Sequence, residues 1–303
     1  MRVQTSRSSS TVQAVPTISV EVDDQSALFL RFRISQLPQA LSNALRRVML
    51  AEIPTLAIDL VEISENSSPL FDEMIAHRIG LVPLLSSAAD DFQYGRDCTC
   101  ASSCPNCTVY YQLDVSATTG GPPVGVNSRD LVPVTPNSPP AVDAEIPLTK
   151  ISGNQSVRLT ATGKKGVGKM HAKFMCANVA MWYRPVVTIN RDVEMGVGVG
   201  VRQAIVKACP RAVFALDELD HLILDKLDQC IVCGECLKVG GVEGSSSDQR
   251  LISIREDEEV SEWEVETNGA RSVADVVITA AKILKNKFLT LAADLDDWEK
   301  EHL

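Results

Sequence analysis

Apolar and polar residues alternate in ISVEV (18–22) and again in ALFLRFRI (27–34), with Asp-Asp-Gln-Ser between them. A period of two marks strands half buried on a sheet, so these segments predict a hairpin. The period then changes. In QLPQALSNALRRVMLAEIP, Leu41, Ala44, Leu45, Val48, Met49 and Ile53 recur at helical spacing, Pro38 suits a first turn and Pro54 stops the run. That predicts a helix over 38–53. A strand over 55–64, a short helix over 71–80 and strands over 107–115, 157–162 and 179–189 follow from the same patterns. Residues 120–140 are rich in Gly, Pro and Asn with few apolar anchors and read as an excursion, and 192–240 read as a compact patch with Gly and Cys. Strands are expected at 251–254 and 261–267.

The last element has the clearest pattern. Beyond a break at Gly269, Ser272 with Asp275 makes a capping-box-like start. Val273, Val277, Ala280, Leu284, Phe288, Leu291 and Leu295 then step by three and four, predicting a helix from Ser272 to about Glu299. A seam of that length belongs either to an ordinary amphipathic core helix or to an interface with a partner chain.

Composition narrows the function classes. The 303 residues with 45% hydrophobic content suffice for real cores, and the formal charge of −10 favours protein partners over a phosphate backbone. The polar N-terminal stretch, residues 1–15, lacks the apolar core of a secretory signal and reads as a disordered leader. No apolar run approaches a membrane span. Nine cysteines, an odd number, are expected as reduced thiols.

Two cysteine groups carry candidate chemistry. Cys98, Cys100, Cys104 and Cys107 lie close enough in the chain to surround one Zn²⁺, and four thiolates leave no open position, so the site would be closed and structural. Cys230, Cys233 and Cys236 have the spacing of the first three ligands of a ferredoxin run, and the remote Cys209-Pro210 is the right type of fourth ligand. Iron–sulfur, a second zinc and metal-free thiols all remain open for this group. TGKKGVGKMHAK (162–173) imitates a phosphate-binding loop, yet Met170 stands where a Mg²⁺-ligating hydroxyl is required, so a mobile basic loop is expected instead. Gly196, Gly198 and Gly200 lack the acidic residue and βαβ frame of a dinucleotide site. The four histidines are scattered, and no nucleophile–base pair emerges.

ALSNALRRVMLAEIPTLAID (40–59), DEMIAHRIGLVPL (72–84), the 98–107 cysteines, KKGVGKMHAK and the closing helix occur in that order. Together they resemble the alpha-like subunits of multisubunit RNA polymerases, in the form of the third-largest subunit of eukaryotic polymerase II, kin to its archaeal counterpart and to the bacterial alpha N-terminal domain. The resemblance covers about 17–190 and 250–295. It implies an α+β fold with a discontinuous dimerisation domain (16–58 and 250–303), a mixed sheet with two helices. A mainly β domain (59–249) would be inserted in it, carrying a zinc loop (96–108) and a ferredoxin-like segment (about 192–247).

The same resemblance implies a non-catalytic, nuclear assembly subunit of a DNA-dependent RNA polymerase. It would form a heterodimer with the small alpha-like subunit, then dock on the second-largest subunit beside two small zinc-binding subunits. No sequence-specific nucleic-acid contact and no membrane association are implied. The interface would comprise Leu41, Asn43, Leu45, Arg46, Arg47 and Met49 with Val277, Leu284, Phe288 and Leu291. Lys164, Lys165, Lys169, His171 and Lys173 would form a subunit-contact loop. The zinc knuckle favours the polymerase II form, whereas 192–247 look more like the ferredoxin-like insert of the archaeal counterpart, where a cluster serves folding. A counterpart from another nuclear or archaeal-type polymerase is the alternative, and an iron–sulfur redox protein is the alternative of another class.

Overall fold

The computed structural model describes residues 18–101, 103–240 and 250–302, so the expected leader at 1–15 lies outside the described residues. In chain order the elements are β1 (Ser19–Gln25), β2 (Phe29–Ser35), α1 (Gln39–Ala51), β3 (Pro54–Asn66), α2 (Asp72–Gly80), β4 (Thr108–Ser116), β5 (Val124–Asn127), β6 (Val132–Pro133) and β7 (Pro147–Ile151). There follow β8 (Ser156–Val167), β9 (Ala177–Ile189), α3 (Arg191–Gly196), α4 (Val199–Ala208), β10 (Phe214–Leu216), β11 (Leu222–Leu224), α5 (Glu235–Gly240), β12 (Ile252–Thr267) and α6 (Val273–His302). The α+β expectation holds. One sheet runs in the order β1-β2-β12-β9 and another in the order β3-β8-β4-β6.

Contacts divide the chain into two compact units. The larger gathers Val22–Phe32, Gln39–Met181 and Trp263–Leu303. Its centre is β8, antiparallel to β3 on one side and β4 on the other. Alternation along β8 sends Val157, Leu159 and Ala161 inward, where they meet Ile58, Ile75, Ile79, Tyr111 and Leu113. Each fully buried Val, Leu or Ile among them contributes about 1.5–3 kcal/mol. Helix α1 turns Ser42, Leu45, Val48 and Met49 inward, and Phe32 stacks on the fully buried Trp263 with ring centroids 5.7 Å apart. The other unit contains Trp182–Glu262, with a core of Ile205, Val213, Leu222, Leu251 and Ile252. There the buried Glu194 accepts from the Leu222 amide at 2.6 Å, and Arg202 donates to the carbonyls of Glu194, Val197 and Asp220.

Three segments differ from expectation. The basic stretch at 162–167 is not a mobile loop but the second half of β8, and only Gly168–Met170 turns. Its glycines are packing residues. A Cβ on Gly163 would lie 2.6 Å from Val109, one on Gly166 2.5 Å from the Phe174 ring, and one on Gly168 2.8 Å from the Leu50 carbonyl. The close approach seats the end of α1, whose Ala51 carbonyl accepts from the Lys169 amide at 2.7 Å.

The strands expected at 251–254 and 261–267 are one strand, β12, because the charged REDEEV between them lies along an accessible stretch of sheet. Residues 120–140 are anchored rather than free. Val126 and Leu131 are buried, and the Ser138 hydroxyl accepts from the Tyr110 amide at 3.0 Å.

Gly166→Ala is expected to cost about 1–3 kcal/mol by forcing the Phe174 ring from its seat. Gly95→Ala, where a Cβ meets nothing within 4 Å, should change stability by less than about 0.5 kcal/mol. Urea denaturation of the two variants measures the difference, and equal midpoints would contradict the packing role.

Candidate metal centre and docking surfaces

The loop between α2 and β4 is held at both ends before it reaches its cysteines. Ser86 is buried, with its hydroxyl accepting from the Leu56 amide at 3.0 Å and donating to the Leu84 carbonyl at 2.8 Å. At the far end the amides of Cys107 and Thr108 both donate to the Cys104 carbonyl, and β4 begins. Between these anchors the four thiols converge. Cys98 and Cys104 sulfurs lie 3.6 Å apart, Cys100 and Cys107 3.6 Å, and Cys104 and Cys107 3.7 Å. Four Zn–S bonds of about 2.3 Å in a tetrahedron require S···S edges of about 3.8 Å. The quartet therefore fits a single tetrahedral ion, with Cys107 buried and the others half-buried.

Hydrogen bonding differentiates the thiols. Sharing of protons with Cys98 and then Cys107 pushes Cys100 up to about 12, whereas the hydrogen bond with the Thr108 hydroxyl brings Cys107 down to about 7. Thr108 is itself buried and sits 3.3 Å from the Cys107 sulfur, placed to donate to a thiolate ligand. Such an outer hydrogen bond fixes a ligand's orientation and charge.

The second cysteine group is arranged differently. Cys209, Cys230, Cys233 and Cys236 line one cavity with Val213 and Phe214. Among the described residues, however, only the first quartet brings its ligand atoms within 4.8 Å of one another. Val232, inside the Cys230–Cys233 loop, has φ 54 and Gly234 has φ 74. A β-branched residue in the left-handed region is strained unless its surroundings over-determine it.

The expected docking residues fall into two sets. On α1, Leu45 and Met49 point into the chain's own core, at 8% and 1% exposure. Leu41 and Arg46 are half-buried, and Asn43 and Arg47 face outward. On α6 the buried face is Val273, Val276 and Ala280, while Val277 and Leu284 are half-buried. Val276, one residue before Val277, is the inward position, and the expected seam of Val273, Val277 and Ala280 does not include it. Farther along, Phe288, Leu289, Leu291, Leu295 and Trp298 are between 52% and 58% exposed.

The basic loop residues are mostly internal ties. Lys173 donates to Asp59 at 2.7 Å and holds that carboxyl below the usual range, so the tie is intact at neutral pH and fails only as pH falls through that lowered value. Lys164 lies 3.7 Å from the same carboxylate, and Lys165 donates to the Phe92 carbonyl at 2.8 Å. Lys169 and His171 are exposed at the turn.

A family model for the RNA polymerase Rpb3/RpoA insert domain matches residues 61–179. Over 288 residues the chain is 33% identical to DNA-directed RNA polymerase II subunit rpb3 of Dictyostelium discoideum, covering 91% of this chain and 93% of that one. It is 32% identical to subunit 3 of DNA-directed RNA polymerases II, IV and V of Arabidopsis thaliana, covering 91% and 90%. With DNA-directed RNA polymerase subunit Rpo3 of Methanosphaera stadtmanae it shares 31% identity over 88% of this chain and 93% of that one. The chain belongs to this family of RNA polymerase subunits.

Thr108→Val is expected to weaken metal binding by the quartet about tenfold. Competition for zinc against a chromophoric chelator measures it. Because loading expels thiol protons, affinity should also rise with pH and be lost on acidification. A Thr108→Val protein that holds zinc as tightly as wild type would remove this hydroxyl from the centre.

Proposed function

We propose that this chain is a non-catalytic assembly subunit of a nuclear, polymerase II-type DNA-dependent RNA polymerase. In this reading it pairs with a small alpha-like subunit. The pair then carries the second-largest subunit, with two small zinc-binding subunits at its side. Residues 16–58 and 250–303 would make the dimerisation domain and 59–249 the inserted one. The observation that supports pairing most directly is the apolar outer half of α6, from Phe288 to Trp298, exposed along a helix whose first turns are buried. Contiguous exposed apolar residues on a helix mark a partner surface. Asn43, Arg46 and Arg47 supply the polar margin from α1, which packs on α6 and is tied to it by the Lys287–Glu52 ion pair at 2.5 Å.

Zinc is the ion we assign to Cys98, Cys100, Cys104 and Cys107, as a structural staple of the inserted domain. A second reading concerns Cys209, Cys230, Cys233 and Cys236. Thiols that share a cavity without converging on one point suit an iron–sulfur cluster, whose iron and sulfide atoms stand between the cysteines, better than a single ion. When bound, such a cluster would act as a cross-link that stabilises the segment around α4, α5 and the β10–β11 hairpin.

Replacing both Phe288 and Leu291 by Asp is expected to abolish co-purification of the partner subunit, since each places an unpaired charge in an apolar contact and costs upwards of about 2 kcal/mol. Circular dichroism should show the chain still folded. Undiminished partner recovery would overturn the pairing surface. Metal analysis after anaerobic purification tests the second site separately: iron is expected with wild type and lost with Cys233→Ser, and iron-free wild type would refute the cluster.

A further inference from the structure

Arg271 immediately precedes the Ser272 cap of α6, and its side chain is 0% exposed. Its guanidinium reaches in two directions. Nε donates to the Ser86 carbonyl at 3.2 Å, and one terminal nitrogen donates to Asp90 Oδ2 at 2.8 Å, both in the segment that opens the cysteine loop. The other terminal nitrogen meets Asp275 Oδ2 at 3.1 Å and the Thr279 hydroxyl at 3.3 Å, in the first two turns of α6. Beside it, the Ser86 amide donates to the Ala270 carbonyl at 2.7 Å. One buried cation thus joins the loop to the helix.

The connection continues from Asp90 to the thiols. Lys165 donates to the carbonyls of Phe92 at 2.8 Å and Asp90 at 3.5 Å, and its ammonium lies 5.1 Å from the centroid of the Tyr94 ring. Arg96 lies 5.2 Å from the same centroid. The Tyr94 carbonyl accepts from the Cys98 amide at 3.1 Å, and the Gln93 amide donates to the Asn106 carbonyl at 2.9 Å, one residue before Cys107. No more than a few hydrogen bonds separate the metal ligands from Asp90.

We infer that Arg271 is a positioning residue that makes the order of the first turns of α6 depend on metal in the cysteine loop; this rests on the zinc reading above. With the loop pinned by its ion, Asp90 is held against the guanidinium. With the loop released, Arg271 keeps only part of its partner set while still buried, and a buried charge left under-paired is costly. The structure relieves that cost by opening the helix start to water. A metal-free chain then presents a frayed α6 to any partner.

The test is hydrogen exchange on the full chain, zinc-loaded and after chelation, with zinc content measured in each sample. In wild type, chelation should speed exchange of the 273–280 amides about tenfold, the loss of one charge-assisted contact, while β8 amides stay protected. Asp90 is 59% exposed, so Asp90→Asn removes its charge without opening a core. In that variant the 273–280 amides should exchange fast with zinc bound, and chelation should add less than about twofold. An Asp90 with only a local role would leave the zinc response intact, which overturns the coupling. Wild type that binds zinc but shows no change in α6 on chelation also overturns it, alone. Wild type that binds no zinc refutes the metal reading and the coupling together, and the metal analysis tells the two cases apart.

Discussion

Helix α6 is longer than the surface that the described residues of its own chain offer it. Thirty residues span about 45 Å, but burial of its apolar side is complete only at Val273, Val276 and Ala280. The early contacts fix the helix to the larger unit, and the same rigid rod then carries Phe288, Leu291 and Leu295 into solvent. A helix cannot bend its far half back onto the core without a break, and 273–302 contains neither Pro nor Gly. The apolar outer half is therefore a consequence of the buried inner half, and the described residues of the chain leave it uncovered.

That dependence explains why so much of the larger unit converges on the ends of α1 and α6. Gly163 and Gly166 in β8 leave room for Val109 and the Phe174 ring, and Gly168 in the following turn leaves room for the end of α1. Thr55 adds a buried hydroxyl bond to the Phe174 carbonyl at 2.7 Å. Gly269, with φ +87 and Val142 2.7 Å from where a Cβ would sit, makes the sharp turn from β12 into α6 that other residues could not. Arg271 follows two residues later. Turn, buried cation and helix cap form one continuous device that sets where α6 starts and which way it faces.

Regular periods were legible because they need only local information. The β1–β2 hairpin, α1, α2, β4 and α6 appear in the sequence within about three residues of their places, and the first cysteine quartet is readable because its ligands are close in the chain. Glycine misleads where it serves close approach rather than flexibility, which is why 162–167 reads as a loop. Charge misleads in REDEEV, where a polar run on an accessible sheet hides the continuity of β12. The β5–β7 pair escapes detection because its anchors are few apolar residues and serine hydroxyls such as Ser128, which accepts from the Ile146 amide at 3.1 Å. Arg271 and Asp90 are 181 residues apart, and no period in either neighbourhood points to the other.

The treatment of positive charge decides between partner classes. The stretch from Lys164 to Lys173 is the most basic in the chain, and on a surface it would suit a phosphate backbone. Folded, it is not available for that. Lys173 is 12% exposed and paired with Asp59, Lys164 shares the same carboxylate, and Lys165 is turned toward backbone carbonyls and the Tyr94 ring. Cations already paired or hydrogen-bonded within the fold displace few counterions from a nucleic acid, and the overall charge of −10 opposes the approach. What the turn leaves outside is Lys169, Met170 and His171, with Met170 57% exposed. A small mixed tip of that kind suits a protein surface, as does the apolar half of α6, so both exposed features favour a chain built to be assembled rather than to grip a template.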